Sequence, residues 1–566
     1  MKYFAPIAAA ALLVACEAGS PPAEETPAEV ALPDIQASAI EEHITFLASD
    51  ELGGRDAGSE GYRIAADYVA SQFADLGLQP AGDDGYFADV PMQEARIDVE
   101  YGRVELFGES FAHGEGVMIG LNQSLPQSEV TAPLIYVGHG VSAPERGHDD
   151  YADIDVTGAI VVLRGGVPEI FPSDERAHHI SGATKAAVAA ENGAVGVLTL
   201  SGADAEQITR FASGADRPSV RLTPRTGAAP SDQLRVTATL GAELRARVFE
   251  QAEMSWEEVA AAAADEENPV YHRMPLNISA TLRQRTISEP FTDVNVVGLL
   301  PGDDPDLADE IVVLTAHLDH IGMITDNMRA SGACRRARAN NEGEASETYQ
   351  DDMICNGAVD NASGVSIMIE TARTFIANGA PRRSVLFVAL AAEEKGLLGS
   401  QHFARNPTVP AVNMVANVNL DMPVIVYEFD DVIAFGAEHS NLGPIAERAA
   451  ARLGVTISPD PMPEQTLFVR SDHYNFVRAG LPSLFLMTGF SSPNPEFAGG
   501  AGFTGFLGTY YHRVSDQLVG DFDVLFDQAA KFANINYIIA REIADADESP
   551  SWNEDSFFGG LYGAGE

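Results

Sequence analysis

Between Ser38 and Leu78 apolar residues recur at helical spacing, among them Ile64, Tyr68, Val69, Phe73 and Leu76. They predict two helices separated by the glycine-rich Leu52-Gly53-Gly54-Arg55-Asp56. From Tyr101 to Arg285 the pattern turns to short apolar runs that end at glycine, such as Leu134–Val137 and Ala159–Leu163. These read as strands, with one helix near Ala183 to Asn192 followed by a strand at Val195 to Leu200. After Val294 strands and helices alternate: Ile311 to Ala316, a helix after Asn361, Val385 to Leu390, Met414 to Leu420, a helix near Asn441 to Leu453, and Leu484 to Met487. Alternation of this kind predicts an α/β fold, a mixed and mostly parallel sheet flanked by helices. A last helix, Phe526 to Asp545, carries Phe532, Ile535, Ile539 and Ile543 on one stripe.

The pattern divides the chain into an α/β domain in two parts, 36–100 and 286–547, with a β-rich module at 101–285 inserted between them. The module has neither clustered metal donors nor a nucleophile beside a base, so it is expected to be accessory. The final stretch, 548–566, is acidic and glycine-rich and is expected to be loose.

The first residues change the cellular picture. Met1-Lys2 precedes an apolar run from Tyr3 to Val14 and then Leu13-Val14-Ala15-Cys16, too short for a permanent span. This resembles a lipoprotein signal peptide at 1–15, cleaved before an acylated Cys16, with 16–35 as a flexible tether rich in Pro, Ala and Glu. The expectation is a chain in the cell envelope, lipid-anchored on the periplasmic side, the outer membrane being favoured because Glu17 is not the aspartate of inner-membrane retention. Two cysteines then remain, Cys334 and Cys355, which permit one disulfide in an oxidising compartment or persist as free thiols. The formal charge of -48 argues against nucleic acid and anionic membrane surfaces as partners.

Candidate chemistry collects where strands end. Three of them run directly into residues able to bind metal: Ala316-His317-Leu318-Asp319, Ala392-Glu393-Glu394 and Leu420-Asp421. A fourth candidate, Asp360, opens the helix through Val365, Ile369 and Phe375, where a helix cap is the alternative reading. The fifth is His512, in a loop that no apolar pattern explains. Two histidines and three carboxylates form a set that zinc accepts, and one shared carboxylate permits a pair of ions about 3.5 to 4 Å apart. Glu393, next to Glu394, is the obvious spare carboxylate to act as base.

These segments resemble the co-catalytic two-zinc peptidases of family twenty-eight, which include bacterial leucyl aminopeptidases, aminopeptidase Y and the glutamate carboxypeptidases. The resemblance extends to Leu47–Leu52, Gly58–Gly61, Asn295–Gly298, Glu394–Ser400 and Ser471-Asp472-His473, and the middle segment looks like that family's protease-associated domain. It implies two zinc ions, one held by His317 and Asp421, the other by Glu394 and His512, with Asp360 bridging. It further implies Glu393 as general base and later acid, Asp319 as the carboxylate that orients His317, and a cis peptide between Asp360 and Asn361. Tyr511 resembles a tyrosine that polarises the scissile carbonyl, and packing is the alternative role. The implied activity is removal of N-terminal residues from peptides.

The chain departs from the family pattern between His317 and Asp360, where an insert holds both cysteines and Arg335, Arg336 and Arg338. That cluster either binds a substrate carboxylate or is a solvated loop. Rival functions are a carboxypeptidase of the same family, a glutaminyl cyclase with one zinc, and a binding relative without catalysis. His320 and His473 are read as shaping the cleft, and His178 and His179 as structural or surface residues. Oligomeric state is left open.

Overall fold

The computed structural model describes residues 33–122, 124–214, 218–223, 233–265, 269–324, 334–338, 347–518 and 523–563. The leader and most of the tether lie outside them. Among the described residues no helix is long and apolar enough to cross a membrane.

The peptidase-like part is an α/β sheet with four parallel strands at its centre. Ser384–Leu390, Ile311–His317, Met414–Asn419 and Ser483–Thr488 lie side by side in that order. Antiparallel strands flank them, Met274–Leu300 beside Ser384–Leu390 and Asp431–Phe435 beside Ser483–Thr488. Every residue of Ile311–His317 and of Ser384–Leu390 is buried. Strands without an exposed face need cover on both sides. Helices supply it: Gly364–Ala377 and Phe526–Asp545 pack on each other and on Ile311–His317, while His473–Arg478 and Leu398–Arg405 pack on each other, the former also on Met414–Asn419. Phe532, Ile535, Ile539 and Ile543 of the long C-terminal helix are all buried, as their spacing predicts.

The inserted module has its own mixed sheet, in which Gln127–Tyr136, Ile160–Arg164, Gly196–Leu200 and Val236–Leu240 run parallel. Its core includes Val104, Tyr136, Val162, Leu198, Leu240 and Leu282. The boundary expected at 285/286 falls inside a single strand, Met274–Leu300, which belongs to both sheets. Its first part pairs with Gln127–Tyr136 and its second with Phe87–Ile97, so the two sheets share one continuous backbone.

The tail is not loose. Trp552 Nε1 donates to the Gly480 carbonyl at 2.9 Å, and Phe558, fully buried, stacks on Phe468 at 4.9 Å. Composition pointed to solvent here, but four aromatic side chains within eleven residues, Trp552, Phe557, Phe558 and Tyr562, outweigh it by the area they bury.

Candidate metal centre

The eight residues singled out for chemistry gather at the carboxyl end of the parallel strands, where side chains from neighbouring segments converge. His317 is the last residue of its strand. Its Nδ1–H donates to the Asp319 carbonyl at 3.1 Å, which fixes the tautomer and turns Nε2 toward Asp421 (3.0 Å) and Asp360 (3.3 Å). His512 Nε2 lies 3.3 Å from the second oxygen of Asp360 and 3.2 Å from Glu394. Asp360 therefore offers one oxygen to each histidine.

Asp319 differs from the expectation. Its carboxylate stands 3.9 Å from His317 Nδ1 and instead accepts from the backbone N–H groups of Glu393 (2.9 Å) and Glu394 (3.3 Å). Its carbonyl orients the histidine, while its carboxylate holds the Glu393-Glu394 pair in place. The loop forces this choice, since the carboxylate is wholly buried beneath the following strand end.

Three residues outside the expected set join the segments. Asn361 donates to the Leu420 carbonyl (2.9 Å) and the His317 carbonyl (3.3 Å) and accepts from Gly364 and Met422, both at 3.0 Å. It binds three ligand-bearing stretches together, and the peptide before it, Asp360–Asn361, is cis. Asp516 accepts from the N–H groups of Val359 (2.9 Å) and Asp360 (3.2 Å). The buried Arg55 guanidinium donates to the carbonyls of Leu318, Leu47, Asn356 and Gly357, fastening the glycine-rich turn of the first domain part to the loops of His317 and Asp360. Left-handed φ values at Ala392 (55°), Met422 (40°) and His512 (58°), all non-glycine, fall at or beside donors. Backbone in this region costs on the order of 1 kcal/mol per residue and is kept where a site over-determines it.

His320 was read only as shaping the cleft. It is fully buried, and its Nδ1 lies 2.8 Å from Glu394 Oε1 and 3.8 Å from Asp360. Potential ligand atoms of His317, Asp360 and Asp421 all lie within 4.8 Å of one another, and so do those of His320, Asp360 and Glu394. The sequence signal was the spacing His317-x-x-His320 past one strand end.

Electrostatics follow from this crowding. Burial alone lowers the pKa of both site histidines, but the carboxylates more than offset it: Asp421 and Glu393 raise His317 well above its ordinary value, and Glu394 and Asp360 bring His512 to about 10. Burial pushes the Glu393 carboxyl well above the usual carboxylate range; His317 opposes this, and Asp421, Glu394 and Asp472 add to it. Burial likewise holds the Tyr511 hydroxyl protonated, reinforced by Asp360, Glu394 and Glu393.

Zinc fits these residues. Nitrogen and carboxylate donors converge into two clusters sharing Asp360, a donor set that a cation in each would satisfy. Glu394 Oε1 and both ring nitrogens of His320 are buried without a well-formed hydrogen bond, as ligands or neighbours of an ion would be. Over them opens a pocket lined by Glu393, Tyr511, Met422, Leu467, Arg470 and Met487 among others.

Residues 295–521, which carry every donor, match the model of Peptidase family M28, and residues 130–229 match the PA domain. The donor-bearing segment is a family M28 peptidase domain. The chain is similar to a "Probable zinc metalloprotease" of Pyrenophora tritici-repentis (strain Pt-1C-BFP), 47% identical over 74 residues, 13% of this chain and 16% of the relative. It thus spans about a sixth of the length of that fungal relative. It is also similar to the "Probable lipoprotein aminopeptidase LpqL" of Mycobacterium tuberculosis (strain ATCC 25618 / H37Rv), 22% identical over 83% of this chain and 78% of the relative. Among solved structures, an aminopeptidase from Aneurinibacillus sp. strain AM-1 aligns at 20% identity with a TM-score of 0.48, covering 91% of this chain and 95% of that one.

Proposed function

We propose that the chain is an exported, lipid-anchored exopeptidase that removes N-terminal residues from peptides with two zinc ions. The observation that carries this reading is Asp360, whose two oxygens face two separate donor groups, His317 with Asp421 and His512 with Glu394. His317 and Asp421 would hold one ion, His512 and Glu394 the other, with His320 within reach of the second. Bound there, the ions supply Lewis acidity toward water and the scissile carbonyl.

The chain's own residues do the rest. Glu393 accepts the proton of the attacking water, and its raised affinity for protons suits it to both taking that proton and passing it to the departing amine. Asp319 keeps its main chain still during both transfers. Tyr511, which lines the pocket and is kept as an O–H donor, would stabilise charge on the carbonyl oxygen. Asp421 is steadied by Ser471, whose hydroxyl donates to it while accepting from Asn419 Nδ2 at 2.7 Å. Residues 1–15 as a lipoprotein leader, Cys16 as the acylated residue and the periplasmic side of the envelope as location complete the proposal. Similarity to a relative named as a lipoprotein aminopeptidase supports it.

The test is metal content together with hydrolysis of free and N-acetylated dipeptides by the full chain. Two zinc ions per chain and cleavage only with a free amine are expected. Cleavage that persists on the acetylated peptides would refute the aminopeptidase reading.

A further inference from the structure

The pocket carries one fixed cation that neither the donors nor the fold uses. Arg470 lines it beside Glu393 and Tyr511, over a floor that includes Met422, Leu467 and Met487. The side chain is exposed, and among the described residues no carboxylate pairs with it. Its main chain, by contrast, is held on both sides. The Arg470 N–H donates to the Leu467 carbonyl at 3.0 Å, Ser471 is tied to Asp421, and Phe468 is buried against Phe558 and His473.

The carboxylates of the lining, Asp360, Glu393 and Asp421, are those committed to the metal ions and the attacking water. Arg470 is the charge left for the substrate. Two arginines of the insert are engaged by main chain instead: Arg335 donates to the Tyr511 carbonyl, and Arg336 to the carbonyls of Gln350 and Asp352.

We infer that Arg470 receives a carboxylate of the substrate, so that peptides presenting one near the scissile bond are preferred. This rests on the reading of the chain as a peptidase. A guanidinium in a partly enclosed pocket forms paired, charge-assisted hydrogen bonds with a carboxylate, a geometry that a neutral amide does not match. Two sources share that chemistry: the side chain of a terminal Glu or Asp, and the free α-carboxylate of a short peptide.

The experiment compares the zinc-loaded full chain with Arg470→Ala and Arg470→Glu on two matched pairs, glutamyl against glutaminyl arylamide and Leu-Gly against Leu-Gly amide. In the wild type the kcat/KM ratio of one pair is expected to favour the carboxylate by roughly tenfold to a hundredfold. The pair that shows it identifies the source. Arg470→Ala should collapse that ratio toward one, and Arg470→Glu should reverse it in favour of the uncharged member of the pair. Ratios near one in the wild type for both pairs, or a ratio unchanged in Arg470→Ala, would overturn the proposal. Absence of turnover on all four substrates sinks only the peptidase reading. Calorimetry then decides the carboxylate site, with glutamate against glutamine and Leu-Gly against its amide as probes; equal affinities within both pairs overturn it.

Discussion

Two groups of histidines in this molecule, buried or half-buried, are driven in opposite directions. At the metal centre His317 and His512 have raised pKa values, because Asp360, Asp421 and Glu394 crowd within 3.0 to 3.3 Å of their Nε2 atoms. In the inserted module burial lowers His178 to about 3 and His139 and His179 to about 4. Aromatic rings surround these instead: Phe557 lies 5.6 Å from His178, Phe171 4.6 Å from His179 and Tyr271 5.5 Å from His139. The same side chain becomes a ligand where carboxylates gather and a neutral packing group where rings do. His178 also bonds the Tyr474 hydroxyl at 2.7 Å and, with Phe558, joins the insert and the tail to the peptidase part.

The comparison breaks most severely at Glu393. Glu393→Gln should lower kcat by about 10² to 10⁴ while two zinc ions stay bound; loss of metal would show that Glu393 is a ligand rather than the base. Next comes the aromatic seam. Phe558→Ala empties a fully buried site and should cost about 3–5 kcal/mol in chemical denaturation. A loss under ~1 kcal/mol would mean that the tail merely rests on the surface.

The disulfide Cys334–Cys355 gives a smaller effect on the metal side. Residue 335, next to it, bridges to the ligand loop through Arg335 N–H to the His512 carbonyl and Val514 N–H to the Arg335 carbonyl, both 3.0 Å. Replacing both cysteines by serine should weaken one zinc ion about tenfold and leave the other in place, as equilibrium dialysis would reveal; equal loss of both ions would contradict this.

Smallest is the response to acid. The folded-state pKa values of His139, His178 and His179 lie below the unfolded value of about 6.5, so the unfolded chain binds more protons between about pH 3 and 6.5. Stability is full above that window and is lost as pH falls through it. His178→Phe should remove under about 1 kcal/mol of the change in unfolding free energy between pH 7 and 6; an unaltered slope would exclude this histidine from the response.

How much of this was legible in the sequence depended on distance along the chain. Strand ends carrying His317, Glu394 and Asp421 stood out because apolar runs stop abruptly on ligand residues. His512 was visible as a polar residue in a loop that no apolar pattern explains, whereas Asp360 had a helix cap as its alternative reading. Asn361, Asp516 and Arg55 were not, since their partners are main-chain groups tens to hundreds of residues away, which leave no local pattern. Arg470 was hidden by its surroundings: the arginines that drew notice were clustered at 335–338, whereas the one that reaches the pocket stands alone. The strand Met274–Leu300 was split because its two parts serve different sheets, and hydrophobic alternation reports a buried face without saying which sheet buries it.

The most direct test of the central claim is titration of the metal-free full chain with zinc, followed by elemental analysis. The shared Asp360 predicts two ions per chain for the wild type and weakened binding of both in Asp360→Asn. A single ion in the wild type, or an Asp360→Asn protein that retains both ions at unchanged affinity, would contradict it.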